Sequence, residues 1–317
     1  MTNEVLRSGG GAPVDPEFGS IPTPWGFVAR YSPRDLAGFW IEVVTLAPGR
    51  TGVLLGCCST SSTEDGLRSA ALSTLQETGD PVQSLLGIAG SPGSALCAVI
   101  DRQTFSYSRH GQAGAVIATP GRPPALMDCA DGRRVDTPLE PGSTVLMCSG
   151  APDNVVGLLD DCASVHPEQL TDRIIAGLDH AAAVLYRHPP QALSVTLPAE
   201  PGSLAISRGK LREWLNAAGL DSETCADILL AVGEATANAT EHSVVNSSGR
   251  VDITMDACFE PGALRLTVSD NGRWKPAAAS PGHRGHGIRL MNALVNSVEL
   301  TTAPQGTTVT MVKELPR

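Results

Sequence analysis

The sequence predicts an α+β protein of two domains: a β-sandwich flanked by helices, followed by an α/β sandwich with helices on one face of a small mixed or antiparallel sheet. Three observations predict it. A chain of 317 residues is long enough for two ordinary domains, each with its own core, and too long for a comfortable single one. Between residues 21 and 198, short β-branched or aromatic runs alternate with clusters of Gly, Pro, Asp and Ser, the punctuation of strands and turns. From residue 199 the pattern changes to two long helical periods and then four strands.

Composition narrows the class. Hydrophobic residues at 42%, charged residues at 18% and a mean hydropathy near zero describe a globular chain rather than a disordered or membrane one. A formal charge of -10 with no Lys/Arg cluster argues against a nucleic-acid partner, which needs a cationic surface to displace counterions from phosphates. No apolar run approaches the roughly 18 residues that span a bilayer, and the first residues lack the hydrophobic stretch of a signal peptide, so a cytoplasmic protein is expected. The eight cysteines show neither a CxxC pair nor a zinc-like Cys/His spacing, and buried reduced thiols are expected.

In chain order, residues 1–20 are Gly/Pro-rich without a period and read as a flexible tail. GFVARYS, FWIEVVTLA, TGVLLGCC, ALCAVID, FSYSR, AGAVIAT and STVLMCS read as strands. EDGLRSAALSTLQETG and the run LTDRIIAGLDHAAAVLY, Leu170 to Tyr186, have helical spacing. The Pro-rich joint RHPPQALSVTLPAEPGS closes the first domain, which is assigned residues 21–198 and includes the strand ALSVTLP; the second is assigned 199–317. There, ISRGKLREWLNAAG and SETCADILLAVGEATANATEHS read as helices, with Asp221, Ser222 and Glu223 supplying the cap and early-turn acids of the second. VDITMDA, ALRLTVSD, SVELTTA and TTVTMVKEL read as strands, with a helix HGIRLMNALVN between the second and third.

On the second of these helices Glu234, Asn238 and His242 lie four apart and project from one face. A carboxamide there can offer a neutral oxygen to Mg²⁺, and a carboxylate can accept a proton from an attacking hydroxyl. The strand ALRLTVSD ends in Asp270, Asn271 and Gly272, where an Asp can accept a hydrogen bond from the amine of adenine and the Gly admits the base to the backbone. Gly285 and Gly287 precede a helix whose N-terminal amides can face phosphates. Gly306, Thr307 and Thr308 open the last strand. Each signal alone has a bland reading: a polar helix stripe, a β-turn, a hinge, a tight turn. Their order within about 80 residues is what makes them specific.

LAVGEATANATEHS, VSDNGRW, GHGIRLMNAL and GTTVTM resemble the four boxes of the GHKL ATPase superfamily, over residues 204–317, and most closely the SpoIIAB and RsbW anti-sigma factor serine kinases. The resemblance implies ATP and Mg²⁺ as cofactors, Glu234 as catalytic base, Asn238 as the Mg²⁺ ligand and Asp270 as the adenine contact. It also implies that Gly272, Gly285 and Gly287 shape the lid and phosphate loop, with Thr308 or its neighbour near the nucleotide. Trp274 departs from the pattern, standing where many members carry a second glycine. A sensor histidine kinase would need a phosphoacceptor helix in front of the ATPase, and His180 and His188 lie by the Pro-rich joint without one. P-loop and eukaryotic-kinase motifs are absent.

ARYSPRDLAGFWIEVVTLAPGRTGVLLG, FSYSRHGQAG, LEPGSTVLMCSG and ALSVTLP resemble, in that order, the framework of the SpoIIE-type metal-dependent Ser/Thr phosphatases. That family grips two metals with aspartates, and here the aspartates are replaced. The GDWYD box reads Gly38, Phe39, Trp40, Ile41 and Glu42; Cys57 follows Gly56; TDG has become Cys148, Ser149 and Gly150; Pro190 and Gln191 replace a DD pair. A lone carboxylate cannot hold two such ions, so the front domain is expected to be a pseudophosphatase. The whole is expected to be a bacterial regulator that phosphorylates a STAS-type anti-anti-sigma protein. The alternative is a non-catalytic switch whose nucleotide occupancy sets affinity for a sigma factor or STAS protein. Relatives of the kinase domain commonly pair, which makes a homodimer a further expected partner.

Overall fold

The computed structural model describes residues 19–21, 23, 25–32, 39–58, 64–87, 93–178, 181–244, 251–274, 286–303 and 306–315. Of the expected tail at 1–20, residues 1–18 lie outside them, while Gly19 and Ser20 belong to a strand and pair with Tyr31 and Arg30.

The front domain runs β1 (Gly19–Ile21), β2 (Phe27–Ser32), β3 (Phe39–Ala47), β4 (Arg50–Cys58), α1 (Glu64–Thr78), α2 (Pro81–Leu85), β5 (Gly93–Ile100), β6 (Thr104–His110), β7 (Gly114–Ala118), β8 (Ala125–Leu126), β9 (Val135–Pro138) and β10 (Thr144–Cys148). Two 3-10 segments follow, Pro152–Leu159 and Cys162–Ser164, then α3 (Pro167–Ala176) and β11 (Ala181–Arg187). One sheet has the order β1-β2-β11-β10-β7-β8 and the other β3-β4-β5-β6-β9, both antiparallel.

Strand alternation builds four layers from this. Ile41, Val53, Leu55, Leu96 and Phe105 of one sheet meet Phe27, Val145, Met147 and Val184 of the other in the central core. The opposite faces take helices: Leu54, Cys97 and Trp40 pack with Leu75 and Leu85 of α1 and α2, while Leu146, Cys148 and Leu185 pack with Leu170 and Ile174 of α3. The run Ala181–Arg187, expected to continue a helix, is a strand. All seven of its residues are buried between the sheet's two covered faces, and a continuous apolar run carries no periodicity that separates strand from helix.

The second domain contains β12 (Leu193–Pro198), α4 (Pro201–Ala218), α5 (Ser222–His242), β13 (Ser243–Val244), β14 (Asp252–Glu260), β15 (Ala263–Asp270), β16 (Arg273–Trp274), α6 (His286–Leu294), β17 (Ser297–Ala303) and β18 (Gly306–Glu314). Its main sheet, β12-β14-β15-β18-β17, is antiparallel throughout, and β13 pairs with β16. Ile253, Met255, Leu264, Leu266, Val268, Val309 and Met311 line one face and receive Leu211, Leu215, Ile228, Val232 and Met291 from the three helices.

The strand Leu193–Pro198, assigned above to the front domain, is the edge of this second sheet. It pairs with β14 in register Val195↔Met255, and Val195 belongs to the second core. The chain therefore passes between domains at residues 188–192, within the Pro-rich joint but ahead of the segment at 199 to which the boundary was assigned.

The domains share a built contact. Trp25, just before β2, stacks on Phe259 of β14 at 4.6 Å, and Phe259 stacks on Trp214 of α4 at 4.9 Å. The Trp214 indole Nε1 donates to the Gln191 carbonyl at 2.6 Å. Gly219 ends α4 with a left-handed φ of 74°, and a Cβ there would lie 2.7 Å from Pro167 Cγ, so only glycine lets the α4–α5 turn seat on α3. Buried Arg187 donates from Nη2 to the carbonyls of Cys162 and Val165 beneath that turn. No helix among the described residues is long and apolar enough to cross a membrane.

Candidate functional site

Helix α5 begins where the cap predicts, with Asp221 Oδ1 accepting from the Thr224 amide at 2.8 Å. Ile228, Ala231, Val232 and Ala235 anchor it in the core, which turns Glu234 and Asn238 away from the core, half-buried, toward α6. The two side chains converge on one point. A Cβ at Gly287, in the first turn of α6, would lie 3.2 Å from Asn238 Nδ2 and 3.3 Å from Glu234 Oε2. The N-terminal end of α6, the positive end of its dipole, thus abuts the carboxylate and carboxamide. Gly285 lies outside the described residues, as do the side chains of His242 and Trp274.

The second cluster sits at the end of β15. The half-buried Asp270 carboxylate accepts the Gly272 amide on Oδ1 at 3.0 Å, and the nearby amide and hydroxyl of Thr307 also favour its charged form. Burial nevertheless dominates and holds the Asp270 carboxyl above the usual aspartate range, against those hydrogen bonds. Asn271 pins the strand end from outside, its Oδ1 accepting the Asp252 amide at 2.9 Å. Gly306 completes the junction: its φ is 149°, and a Cβ there would stand 1.8 Å from the Asp270 carbonyl oxygen. Only glycine lets β18 start against the Asp270 backbone.

The hydroxyl beside Asp270 is Thr307. In register, Asp270 pairs with Thr307, while Thr308 pairs with Ser269 and Thr301 on the sheet's other face. The sequence held the signal. Val309 and Met311 are core residues, and stepping back by two lands on Thr307.

In the front domain, Glu42 is held by Arg68 of α1, whose Nε donates to Oε1 at 2.8 Å. Trp40 fills the space beside Gly56, where a Cβ would lie 2.3 Å from its Cζ2. The Cys148 thiol is buried, pushed up to about 12, and donates to the Gly150 carbonyl at 3.1 Å. Ser149 Oγ accepts the Ala182 amide at 2.9 Å. These side chains are committed to packing and ion pairing, and no group of three or more His, Cys, Asp or Glu gathers among the described residues. His188 is buried beside Tyr186, its Nδ1 3.0 Å from the phenol oxygen, and burial lowers its pKa. Cys57, Cys97, Cys129, Cys148, Cys162, Cys225 and Cys258 are free thiols.

Residues 197–313 match the family model of the histidine kinase-like ATPase domain, and this part of the chain is such a domain. The RsbU and RsbW domains of Rv1364c from Mycobacterium tuberculosis share the two-domain fold, at 20% identity and a TM-score of 0.58, covering 94% of this chain and 97% of that one. Other similar structures include RsbX in complex with magnesium, at 11% identity and a TM-score of 0.42 over 54% of this chain and 98% of that one. The PP2C phosphatase domain of SpoIIE from Bacillus subtilis is similar at 10% identity and 0.40, over 54% and 62% of the two chains.

Proposed function

We propose that this protein is a cytoplasmic regulator that binds Mg·ATP in its ATPase domain and phosphorylates a serine on a STAS-type anti-anti-sigma partner, with a front domain that performs no hydrolysis. The observation that carries the reading is the meeting of Glu234 and Asn238 at the N-terminal end of α6, across a glycine where an added Cβ would crowd both side chains.

The residues fit the cofactor. Mg²⁺ takes few protein ligands and keeps its waters, which suits one carboxamide oxygen, that of Asn238, beside one carboxylate. The Asp270 carboxylate, set by Gly272 and Thr307, is placed to accept from an exocyclic amine, and Gly272 lets a flat ring approach the backbone. Bound Mg·ATP supplies the phosphoryl group and the metal charge that offsets its oxygens. Glu234 accepts the proton of the attacking hydroxyl, while the α6 N-terminus favours the negative charge that develops nearby. In the front domain the one surviving carboxylate of the metal boxes, Glu42, is neutralised by Arg68, which supports a docking or sensing role there.

Calorimetric titration with ATP and Mg²⁺ tests the site. Dissociation constants in the micromolar range, about 1–100 μM, are expected for the native chain and are lost in Asn238→Ala and Asp270→Ala. Absence of binding by the native chain would remove the nucleotide reading altogether.

A further inference from the structure

Resting on that nucleotide reading, we infer that Lys313, far from the site on β18, is a positioning residue that sets the end of α6 facing Glu234 and Asn238. The Lys313 ammonium donates to two groups, Asp227 Oδ2 of α5 at 3.0 Å and the carbonyl oxygen of Leu294 at 2.8 Å. Leu294 is the last residue of α6, so its carbonyl is one of those a helix leaves unpaired at its C-terminus, where a cation also suits the dipole. One side chain thereby ties the C-terminal end of α6 to the first part of α5.

The spacing gives this tie its consequence. Asp227 and Glu234 are seven residues apart on α5, and Gly287 and Leu294 are seven apart on α6. Seven helical residues are two turns, about 10 Å, so each pair lies on one stripe of its helix. The helices run antiparallel, with Leu294 joined to Asp227 at one end and Gly287 set against Glu234 and Asn238 at the other. Equal lengths between the two contacts fix the register of α6 along α5. A nine-residue helix does not hold such a register by its own propensity. Met291 fixes its depth in the core, and Lys313 fixes its position along the axis. Asp270 and Thr307 stand on the sheet, outside this linkage.

The two halves of a nucleotide should therefore respond differently. In Lys313→Met the ammonium is gone, α6 is free to shift, and Mg·ATP affinity should fall about tenfold, equivalent to about 1.4 kcal/mol. Affinity for adenosine, which needs only the Asp270 end, should stay within about twofold, and Lys313→Arg, which keeps a cation of similar reach, should restore most of the ATP affinity. Asp227→Ala should move ATP affinity in the same direction and serves if Lys313→Met does not fold. The measurement is competition of ATP and of adenosine against a fluorescent nucleotide on the full chain. Unchanged ATP affinity in both Lys313→Met and Asp227→Ala, with the native chain binding normally, overturns the inference and leaves the nucleotide site standing. Equal losses for ATP and adenosine overturn it as well, because they mark general loosening. Failure of the native chain to bind either probe removes the nucleotide reading and this inference with it.

Discussion

Asp270 and Thr307 face each other across β15 and β18, and the amide and hydroxyl of Thr307 favour the charged form of the Asp270 carboxyl. Burial still prevails and keeps the carboxyl above its usual range. Ionising Asp270 therefore costs the native state something that the unfolded chain does not incur. That penalty is absent in acid below the ordinary aspartate value of about 4 and is complete at neutral pH. Asp270→Asn, which retains an acceptor, should raise the thermal midpoint at neutral pH, and the gain should vanish in acid. A ligand amine donating to the ionised carboxylate reverses the preference, so nucleotide affinity should weaken as the pH falls toward the Asp270 pKa. Melting curves and titrations across pH check both arms.

Gly306 is the tightest point of the same junction. Gly306→Ala places a methyl group inside the contact distance of the Asp270 carbonyl, in a backbone conformation that side chains rarely adopt. The start of β18 must then move, with a loss of roughly 3 kcal/mol. Urea unfolding measures it, and a loss under about 1 kcal/mol would show that the junction yields easily.

Glu234→Ala should separate binding from transfer. If the carboxylate takes the hydroxyl proton, the variant keeps ATP affinity within a few-fold but loses about 100-fold or more in phosphoryl transfer to a STAS-type serine. Full transfer by the variant would remove Glu234 from the mechanism. Absence of transfer by the native chain, with ATP affinity intact, would favour the binding switch.

In the front domain, adding Mn²⁺ without nucleotide should leave the melting temperature of Asn238→Ala unchanged, because Glu42 is already paired with Arg68. Mass action stabilises any native state that binds a ligand. A rise of about 3 °C or more, near 1 kcal/mol for a domain of this size, would reveal a metal site in the sandwich.

Much of this was legible in the sequence because the information is local. The cap at Asp221, the four-residue spacing of Glu234 and Asn238, and the alternation of Leu264, Leu266 and Val268 each act within a few residues. The parts that were not legible depend on partners far along the chain. Leu193–Pro198 reads as a strand, but pairing with β14 decides its domain. Ala181–Arg187 is a strand because both faces of its sheet are covered, which its own composition does not reveal. The choice between Thr307 and Thr308 is made by register with β15, although alternation from Met311 pointed the right way. Lys313 looks like an ordinary strand-end lysine until α5 and α6 are both in place.

The stack of Trp25, Phe259 and Trp214 has an optical consequence. One indole comes from the front domain and one from the ATPase domain, with a phenyl ring between them and ring spacings of 4.6 and 4.9 Å. Prying the domains apart would expose indole surface to water and shift the emission of Trp25 and Trp214 to longer wavelength. The chain thus carries an intrinsic reporter of its own domain contact, readable without a label in the same cuvette as a nucleotide titration.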